Sequence, residues 1–365
     1  MRKRIKALLI GDAMIPGNEF KLAAEKYLGD VIADVKVGDW ESDWGKLQQR
    51  RLKVEKEGPE IEVVDSLIRE HGSAAELLAG LFVPISSRVF EAMPNLRIAG
   101  VSRAGLENVN VAEATKRGII IFNVEGRNAE AVSDFAIGMM ISECRNIARA
   151  HFAIKNGQWR KTFSNSSWVP QLKDKNVGII GFGYIGRLVA QKLSGFGVKC
   201  LVYDPFVAAD QVSRLGCIPM DKDTLFADSD FVTIHARLSE TTKNMVGERE
   251  LSRMKPTAYI VNTARAGLLD QAALIAALQE ERIAGAGLDV FEDEPLKPDS
   301  PFLSLDNVTL STHIAGTTKE ALSCSPELLM EDIQKLLNDR DPRFVVNKEV
   351  LDRLEFKAWL KGIQQ

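Results

Sequence analysis

The sequence predicts a parallel α/β protein made of two domains. Segments rich in β-branched and aliphatic residues alternate with helical stretches along nearly the whole chain, as in strands joined by crossover helices. The 365 residues exceed the size at which a single hydrophobic core stops growing, about 250–300 residues. In addition, a glycine-rich strand-to-helix segment at 176–186 begins a second α/β series in the middle of the chain. We therefore expect two doubly wound parallel sheets.

The first series is expected to begin with a strand at 6–10 and a helix at 19–28. Further strands are expected at 75–83, 96–102 and 119–124. The segment 39–59 is charged, contains two tryptophans and has little β-branching, so we interpret it as a helical, partly exposed insertion. A long helix is expected over 129–156, because Ala, Met and Ile recur there at helical spacing without a breaker.

The second series follows a loop-like segment at 162–169. Its strands are expected at 177–181, 199–203, 231–235, 258–262, 285–290 and 308–311. Two further helices are expected at 319–338 and 351–360. No apolar run approaches the roughly 18 residues that a membrane span requires, so no membrane association is expected.

Composition narrows the function further. The net charge of -3 and the sequence pI near 6.0 give no electrostatic case for binding nucleic acid or an anionic membrane. The four cysteines show no metal-ligand spacing, and three of them lie among apolar neighbours. We expect reduced, buried thiols in a cytoplasmic protein without a metal site.

The segment 176–186 carries Gly-x-Gly-x-x-Gly between a predicted strand and a predicted helix. In such a segment Gly181 makes the tight turn, Gly183 lets the backbone approach a pyrophosphate, and Gly186 lets helix and strand pack closely. The helix that follows offers unpaired N–H groups to the phosphates. The next predicted strand ends in Asp204, at about the expected distance along the chain.

A carboxylate at Asp204 accepts hydrogen bonds from the ribose hydroxyls of adenosine and repels a 2′-phosphate. The pattern therefore predicts a dinucleotide site that prefers NAD to NADP. The alternative is a glycine-rich turn that binds no ligand, and the acidic partner disfavours it.

Three side chains of complementary chemistry follow three predicted strands of the second series. Arg265, Glu294 and His313 come after the strands at 258–262, 285–290 and 308–311. Oxidation of a secondary alcohol requires a base for the hydroxyl proton, and histidine suits this task near neutral pH. A carboxylate beside it would favour the imidazolium and fix the ring, while the planar fork of arginine suits a carboxylate or a keto oxygen.

Each of these residues also has a simpler interpretation. A single histidine at a strand end is often a structural hydrogen-bonding group, and Glu294 could be a solvated loop residue. Their occurrence together, after a cofactor fingerprint in one chain, favours an active site.

With these motifs in place, the chain resembles the D-isomer-specific 2-hydroxyacid dehydrogenases, the phosphoglycerate dehydrogenase-like family. The resemblance is carried by the stretches 172–186, 261–267, 287–295 and 313–316. Weaker similarity at 101–105 and along the predicted long helix extends the match to about 95–347. The first ninety or so residues match poorly.

The resemblance implies a catalytic triad of Arg265, Glu294 and His313, and a role for Asp289 in holding the nicotinamide carboxamide. It places His235 beside the cofactor, where we prefer a scaffold role to a chemical one. The remaining cofactor contacts that it implies are Tyr184, Ile185, Ala264 and Gly316. The substrate contacts that it implies are Ser102, Arg103, Ala104 and Gly105, together with Arg265.

The resemblance also implies how the domains are built. A flavodoxin-like substrate domain is expected from 1–127 and 317–365, on either side of a Rossmann NAD-binding domain at 128–316. Members of the family are typically homodimers that pair through the nucleotide domain and its long helix.

The sequence departs from the family pattern in three places. The substrate loop at 102–108 is two residues shorter than usual, which puts its carboxylate-binding backbone in doubt. Arg237 stands two residues after His235, where a proline is usual, and Arg127 lies in the segment 126–129 that replaces a Pro-Gly loop. These cations could bind a phosphate on the substrate; the alternative is that both are surface arginines.

The function expected is hydride transfer between NAD and a D-2-hydroxy acid/2-oxo acid pair, with or without a phosphate group on the substrate. D-3-phosphoglycerate dehydrogenase is one alternative. An NAD-sensing corepressor of the same fold is an alternative from another class. A formate dehydrogenase is disfavoured, because those enzymes have Gln where Glu294 stands.

Overall fold

Two parallel sheets organise the protein, whose computed structural model describes residues 3–364. One sheet has five strands and the other has seven. The chain divides into two units: unit 1 extends to Arg127 and resumes at Thr318, and unit 2 comprises Asn128–Thr317. The expectation of two parallel-sheet α/β domains is confirmed.

Unit 1 contains the five-stranded sheet. Its elements up to Arg127 are β1 (Ile5–Gly11), α1 (Gly17–Leu28), β2 (Ile32–Asp39), α2 (Trp44–Glu57), α3 (Ser66–His71), β3 (Leu77–Gly80), α4 (Ser87–Ala92), β4 (Ile98–Val101), α5 (Val111–Arg117) and β5 (Ile120–Phe122). The strand order is β2-β1-β3-β4-β5, which is the flavodoxin-like order.

Unit 2 contains the seven-stranded sheet. Its elements are α6 (Ala129–Cys144), α7 (Ile147–Lys155), β6 (Asn176–Ile180), α8 (Tyr184–Ser194), β7 (Lys199–Tyr203), α9 (Ala209–Arg214), β8 (Ile218–Pro219), α10 (Lys222–Asp228), β9 (Phe231–Ile234), α11 (Glu248–Leu251), β10 (Tyr259–Asn262), α12 (Gln271–Gln279), β11 (Gly285–Leu288) and β12 (Val308–Leu310). The chain then returns to unit 1 with α13 (Lys319–Leu337) and α14 (Leu354–Gln364). Strands β8-β7-β6-β9-β10-β11 have the Rossmann order, and β12 extends it by one strand.

Alternation along the strands builds the cores. In unit 2, Phe231 and Tyr259 pack in one apolar cluster, while their chain neighbours Val232 and Ile260 pack in another. Successive side chains of a strand point to opposite faces, so these clusters lie on the two faces of the sheet. Unit 1 has one large cluster, and α13 contributes to it with Leu329, Met330, Ile333, Leu336 and Leu337. Among residues 3–364 no helix is both long and apolar enough to cross a membrane.

Two local expectations need correction. Strand β2 was not predicted, because as an outer strand beside β1 it keeps Asp34 and other polar residues exposed and lacks a continuous apolar run. The helix expected over 129–156 is two helices. Asn146 breaks it with a left-handed φ of 59°, and its side chain donates to Asn165 Oδ1 at 2.7 Å.

Most of the segment 39–59, interpreted as helical and partly exposed, forms α2. Asp43 caps its first turn by accepting a hydrogen bond from the Lys46 N–H at 2.8 Å. Leu47 and Val54 are the buried positions of this helix, and most of its other residues are polar.

Candidate active site

The glycine turn after β6 has the geometry that a pyrophosphate requires. Gly181 has φ 89°, and a Cβ there would lie 2.7 Å from the Ala236 nitrogen, so only glycine fits. A Cβ on Gly186 would lie 2.2 Å from the Gly181 carbonyl oxygen, which makes the close strand–helix packing specific to glycine. A Cβ on Gly183 would meet nothing within 4 Å, so open space lies in front of the N-terminus of α8. These residues fit a dinucleotide phosphate at that helix end.

Tyr184 and Ile185 form the first turn of α8, directly after Gly183. Asp204 follows β7 and is braced from two sides. Its Oδ2 accepts from the Phe182 N–H at 2.7 Å, and its Oδ1 accepts from the Phe206 N–H at 2.8 Å. The carboxylate therefore lies at the glycine turn, as a ribose-binding group must.

His235 follows β9 beside the same turn. Its Nε2 lies 2.9 Å from Thr233 Oγ1, while its buried Nδ1 has no hydrogen-bond partner among the described residues. Burial lowers the pKa of His235 to about 3, so the ring is uncharged at physiological pH. An uncharged ring in this place agrees better with a scaffold role than with proton transfer.

Arg265 projects from the loop that follows β10, and Asn262 shapes this loop. The Asn262 side chain accepts from the Ala264 N–H at 3.0 Å and donates to the Arg265 carbonyl at 2.9 Å. The exposed Arg265 guanidinium donates to the Ala264 carbonyl at 2.8 Å and has no ion-pair partner within residues 3–364. Its planar fork is thus available to an anion at the carboxyl edge of the sheet.

Glu294 and His313 meet directly. Glu294 Oε2 lies 2.7 Å from His313 Nδ1, and Glu294 Oε1 accepts from the Phe291 N–H at 3.0 Å. The imidazole side chain is 30% exposed, so it remains reachable from solvent while the carboxylate holds one of its nitrogens. The structure thus joins two of the three predicted catalytic residues into a pair.

Asp289 fixes the backbone next to the pair of Glu294 and His313. Its carboxylate is fully buried and accepts from the Ile314 N–H at 3.0 Å and the Ala315 N–H at 2.9 Å. These bonds fix the backbone just after His313. Gly316 ends the same turn, and a Cβ on it would lie 2.2 Å from Asn128 Nδ2.

The predicted substrate loop lies in unit 1, after β4. Ser102 is fully buried, and its hydroxyl has no hydrogen-bond partner among the described residues. Arg103 lies 4.7 Å from the Phe82 ring and pairs with Glu55 of α2 at 2.7 Å and with Glu107 at 3.2 Å. The loop continues through Ala104, whose carbonyl accepts from Asn123 Nδ2 at 2.9 Å.

Gly105 completes the loop, and a Cβ there would lie 2.9 Å from Arg103 Nη2. Since Arg103 is already paired with two carboxylates, it stabilises the conformation of this loop. The two hypothesised phosphate contacts differ: Arg127 is half-buried within unit 1, whereas Arg237 is exposed in unit 2.

Sequence reasoning missed three positioning residues. Asp289 was expected only as a contact of the nicotinamide carboxamide, whereas Asn262 and Glu55 had no assigned role. A buried Asn or Asp at the carboxyl end of an apolar strand is a usable sign of such a role, because it must find partners there.

The neutral state of His235 makes a testable prediction about pH and stability. In the unfolded chain a histidine gains its proton near pH 6.5, whereas the folded protein resists protonation of His235 down to about pH 3. Stability should therefore fall as pH drops below 6.5, by about 1–2 kcal/mol at pH 5 from this residue. In His235→Asn, urea unfolding at pH 7.5 and pH 5 should show that much less loss than in the wild type.

The exposed His151 provides the control. The variant His151→Asn should keep the wild-type loss of stability between the two pH values. An unchanged loss in His235→Asn would contradict the assignment.

Comparison with known proteins places this geometry in a family. Residues 137–315 match the model described as D-isomer specific 2-hydroxyacid dehydrogenase, NAD binding domain. A glyoxylate reductase from Korarchaeum cryptofilum is 38% identical over 301 residues, which are 80% of this chain and 88% of that protein. A D-3-phosphoglycerate dehydrogenase from Archaeoglobus fulgidus is 34% identical over 308 residues, which are 83% of this chain and 58% of that protein.

Among solved structures, the NAD-complexed D-isomer specific 2-hydroxyacid dehydrogenase from Lactobacillus delbrueckii ssp. bulgaricus has the same fold. It matches with a TM-score of 0.73 at 22% identity, over 93% of this chain and 100% of that chain. The family match and the relatives confirm the expected family, the enzyme class and NAD as the cofactor. The chain belongs to the D-isomer-specific 2-hydroxyacid dehydrogenase family of NAD-dependent enzymes.

Proposed function

We propose that the protein interconverts a 2-oxo acid and a D-2-hydroxy acid, with His313 as the proton-transfer group. The observation that carries the proposal is the 2.7 Å contact between His313 Nδ1 and Glu294 Oε2. Both residues follow strands of the sheet that also carries the glycine turn, and the carboxyl ends of parallel strands lie along one edge.

NAD, when bound, supplies the hydride donor in reduction and the hydride acceptor in oxidation. Gly181, Gly183 and Gly186 would give its pyrophosphate room, and the first turn of α8 would supply N–H donors to it. Asp204 would accept from the adenosine ribose. Ala264, Asp289 and Gly316, which lie at the ends of three neighbouring strands or in the turns after them, are proposed to line the nicotinamide end.

His313 would donate a proton to the keto oxygen in reduction and remove it from the hydroxyl in oxidation. Because Nδ1 is held by Glu294, Nε2 is the nitrogen left for the transfer. The Glu294 carboxylate holds Nδ1 and fixes the ring plane, so Nε2 presents the proton in a defined direction.

Arg265 would bind and polarise the substrate. Its guanidinium is exposed and free of carboxylate partners within the described residues, so it can take the carboxylate or the keto oxygen of a 2-oxo acid. Ser102, Arg103, Ala104 and Gly105 of unit 1 are proposed separately as substrate contacts.

Two classes of 2-oxo acid are candidate substrates. The curated relatives include glyoxylate reductases and D-3-phosphoglycerate dehydrogenases, whose names point to a plain and to a phosphorylated acid. A role as an NAD-sensing corepressor would be favoured instead if no 2-oxo acid were turned over.

Exposed apolar side chains in unit 2 indicate how the protein assembles. Helix α7 and the loop after it expose Ile147, Phe152, Ile154 and Trp159, by 54%, 71%, 56% and 79%. Apolar side chains exposed in one stretch are typical of an interface, so we propose a homodimer that pairs through this part of unit 2.

We also propose a cytoplasmic location, since all four cysteines are free and three are buried.

The proton-transfer assignment is tested by substitution. His313→Ala should lower kcat by about 10²–10⁴-fold, which is the usual contribution of positioned acid–base catalysis. Glu294→Gln keeps the shape without the charge and should also lower kcat, while Arg265→Lys should raise KM as well as lower kcat, because the fork is lost. NADH absorbance with a panel of 2-oxo acids gives both constants.

His71→Ala is the matched control, because this histidine lies in unit 1 and its side chain is 40% exposed. It should leave both constants unchanged. Near-normal turnover by His313→Ala would rule out the assignment and make His235 the next candidate.

Cofactor choice is tested at Asp204. We expect a higher kcat/KM with NADH than with NADPH, because the Asp204 carboxylate repels a 2′-phosphate. Asp204→Asn keeps an acceptor for the Phe182 N–H but removes the charge, so it should narrow the difference. Asp210→Asn, an exposed residue of α9, should leave the difference as it is. Equal or better use of NADPH by the wild type would refute the expectation.

Dimerisation is tested by sedimentation velocity. The wild type should sediment as a dimer, and Phe152→Glu should sediment as a monomer, because a charge in an apolar interface is not solvated there. Leu354→Glu, at an 86% exposed position of unit 1, should remain dimeric. A monomeric wild type would contradict the proposed homodimer.

A further inference from the structure

Two of the free cysteines lie opposite each other on neighbouring strands of unit 2. The register of β7 and β8 pairs Leu201 with Ile218, and Cys200 and Cys217 are the residues directly before these partners. Both cysteine side chains pack in the same apolar cluster, whereas Leu201 packs in the cluster on the other face of the sheet. The two thiols therefore meet on one face of the sheet.

The spacing of neighbouring strands suits a covalent bond between the two sulfurs. Paired strands lie about 4.7–4.9 Å apart, and the Cα atoms of a disulfide are usually about 4.4–6.8 Å apart. The Cys200 thiol donates a hydrogen bond to Cys217 Sγ, which raises the pKa of Cys200 and lowers the pKa of Cys217. Cys217 is thus the better nucleophile, and Cys200 is the neighbouring thiol that can displace a group bound to it.

Cys217 lies close to the surface, although its side chain is buried. Strand β8 consists of Ile218–Pro219 and is the outermost strand of the seven-stranded sheet. The residues on either side of Cys217 are exposed, and its Sγ–H donates to the carbonyl of the exposed Leu215 at 3.6 Å. A two-residue strand at the edge of a sheet opens locally at a low free-energy cost, so a small reagent can reach this sulfur.

We propose that Cys200 and Cys217 are a redox-active thiol pair, which a low-molecular-weight disulfide converts into an intrachain disulfide. The bond fastens the edge strand β8 to β7 and closes a loop over residues 200–217. In a reducing compartment such a bond is transient, so the two thiols are the resting state. The inference does not depend on the proposed function, because neither sulfur belongs to the proposed active site.

The exchange proceeds in two steps. The Cys217 thiolate attacks one sulfur of the small disulfide, a mixed disulfide forms, and the first small thiol leaves with the proton that Cys217 gave up. Cys200 then gives up its proton and attacks Cys217 Sγ, and the second small thiol leaves with that proton. The two protein thiols lose two electrons in total, and the small disulfide gains them as it becomes two thiols.

The test uses the tryptic sites of this segment, because cleavage after Lys199, Arg214 and Lys222 separates the two cysteines. The folded, reduced protein is incubated with oxidised glutathione, its remaining thiols are blocked, and it is digested without reductant. We expect peptides 200–214 and 215–222 to appear as one species joined by a disulfide. The number of thiols titrated after unfolding should fall from four to two, and dithiothreitol should restore both.

Serine variants separate the two steps. Cys200→Ser should stop at the mixed disulfide of glutathione with Cys217, because the second thiol is missing. Cys217→Ser should take up glutathione at Cys200 at least about tenfold more slowly, because the better nucleophile is gone.

Cys144→Ser is the matched control, since Cys144 is another buried, free thiol of unit 2. Its Sγ lies 3.7 Å from the Ile141 carbonyl oxygen, and burial raises its pKa to about 12. This variant should form the joined peptides as the wild type does.

The bond should also make unit 2 harder to unfold. Closing the loop over residues 200–217 lowers the conformational entropy of the unfolded chain, so the oxidised wild type should melt about 5–10 °C above the reduced protein. Cys200→Ser should show no such rise after the same treatment. An oxidised wild type that melts no higher would contradict the fastening of β8.

The thiol pair itself is refuted by either of two results. One is a folded wild type that keeps all four thiols in excess oxidised glutathione. The other is a disulfide between peptides 200–214 and 215–222 that forms only after the protein has been unfolded.

Discussion

The buried carboxylate of Asp289 is the interaction on which the catalytic edge of unit 2 depends. His313 has φ 57°, a left-handed conformation that costs a residue other than glycine about 1–2 kcal/mol. Such a conformation persists only where neighbouring bonds fix it. Asp289 supplies those bonds, because both of its oxygens accept backbone N–H groups directly after His313. The imidazole therefore meets Glu294 because a second carboxyl group, the buried Asp289, fixes the backbone that follows His313.

A second buried carboxylate links the same strands to the helices. Glu143 at the end of α6 is fully buried, contacts Arg149 at 2.9 Å and accepts from Thr309 Oγ1 of β12 at 2.6 Å. A Cβ on Gly285 of β11 would lie 2.3 Å from Glu143 Oε1, so that strand can pass the carboxylate only as glycine. Burial raises the pKa of Glu143, and Arg149 opposes this effect. The turn between α6 and α7 is thus bonded to the strands that lead to Glu294 and His313.

Local patterns predicted the parts of the fold that local chemistry determines. Strand β7 was predicted with its observed bounds, because it is a short apolar run buried on both faces. The site residues at strand ends followed from a topological rule, that parallel strands present their carboxyl ends together. The edge strand β2 was not predicted, because half of its residues face solvent. The helix break at Asn146 was not predicted either, because it depends on Asn165, a partner 19 residues away.

The positioning roles of Asp289 and Glu55 could not be predicted, for the same physical reason. Asp289 bonds to groups 25 and 26 residues further along the chain, and Glu55 reaches Arg103 across 48 residues. No window of sequence contains both ends of such a bond. A buried polar residue can be recognised locally, but its partner depends on the topology of the sheet.

The insertion of unit 2 into unit 1 has a consequence for the order of synthesis. Asn128 and Gly316, at the two ends of unit 2, lie against each other, so this unit can close as soon as its own strands exist. Unit 1 cannot complete its core when its own strands exist, because the apolar residues of α13 follow about 200 residues after β5. At 5–20 residues per second a ribosome needs roughly 10–40 s for that stretch. During this time the five-stranded sheet lacks its α13 cover, and its exposed apolar face is prone to aggregation. Synthesis of unit 1 thus begins before that of unit 2 and ends after it.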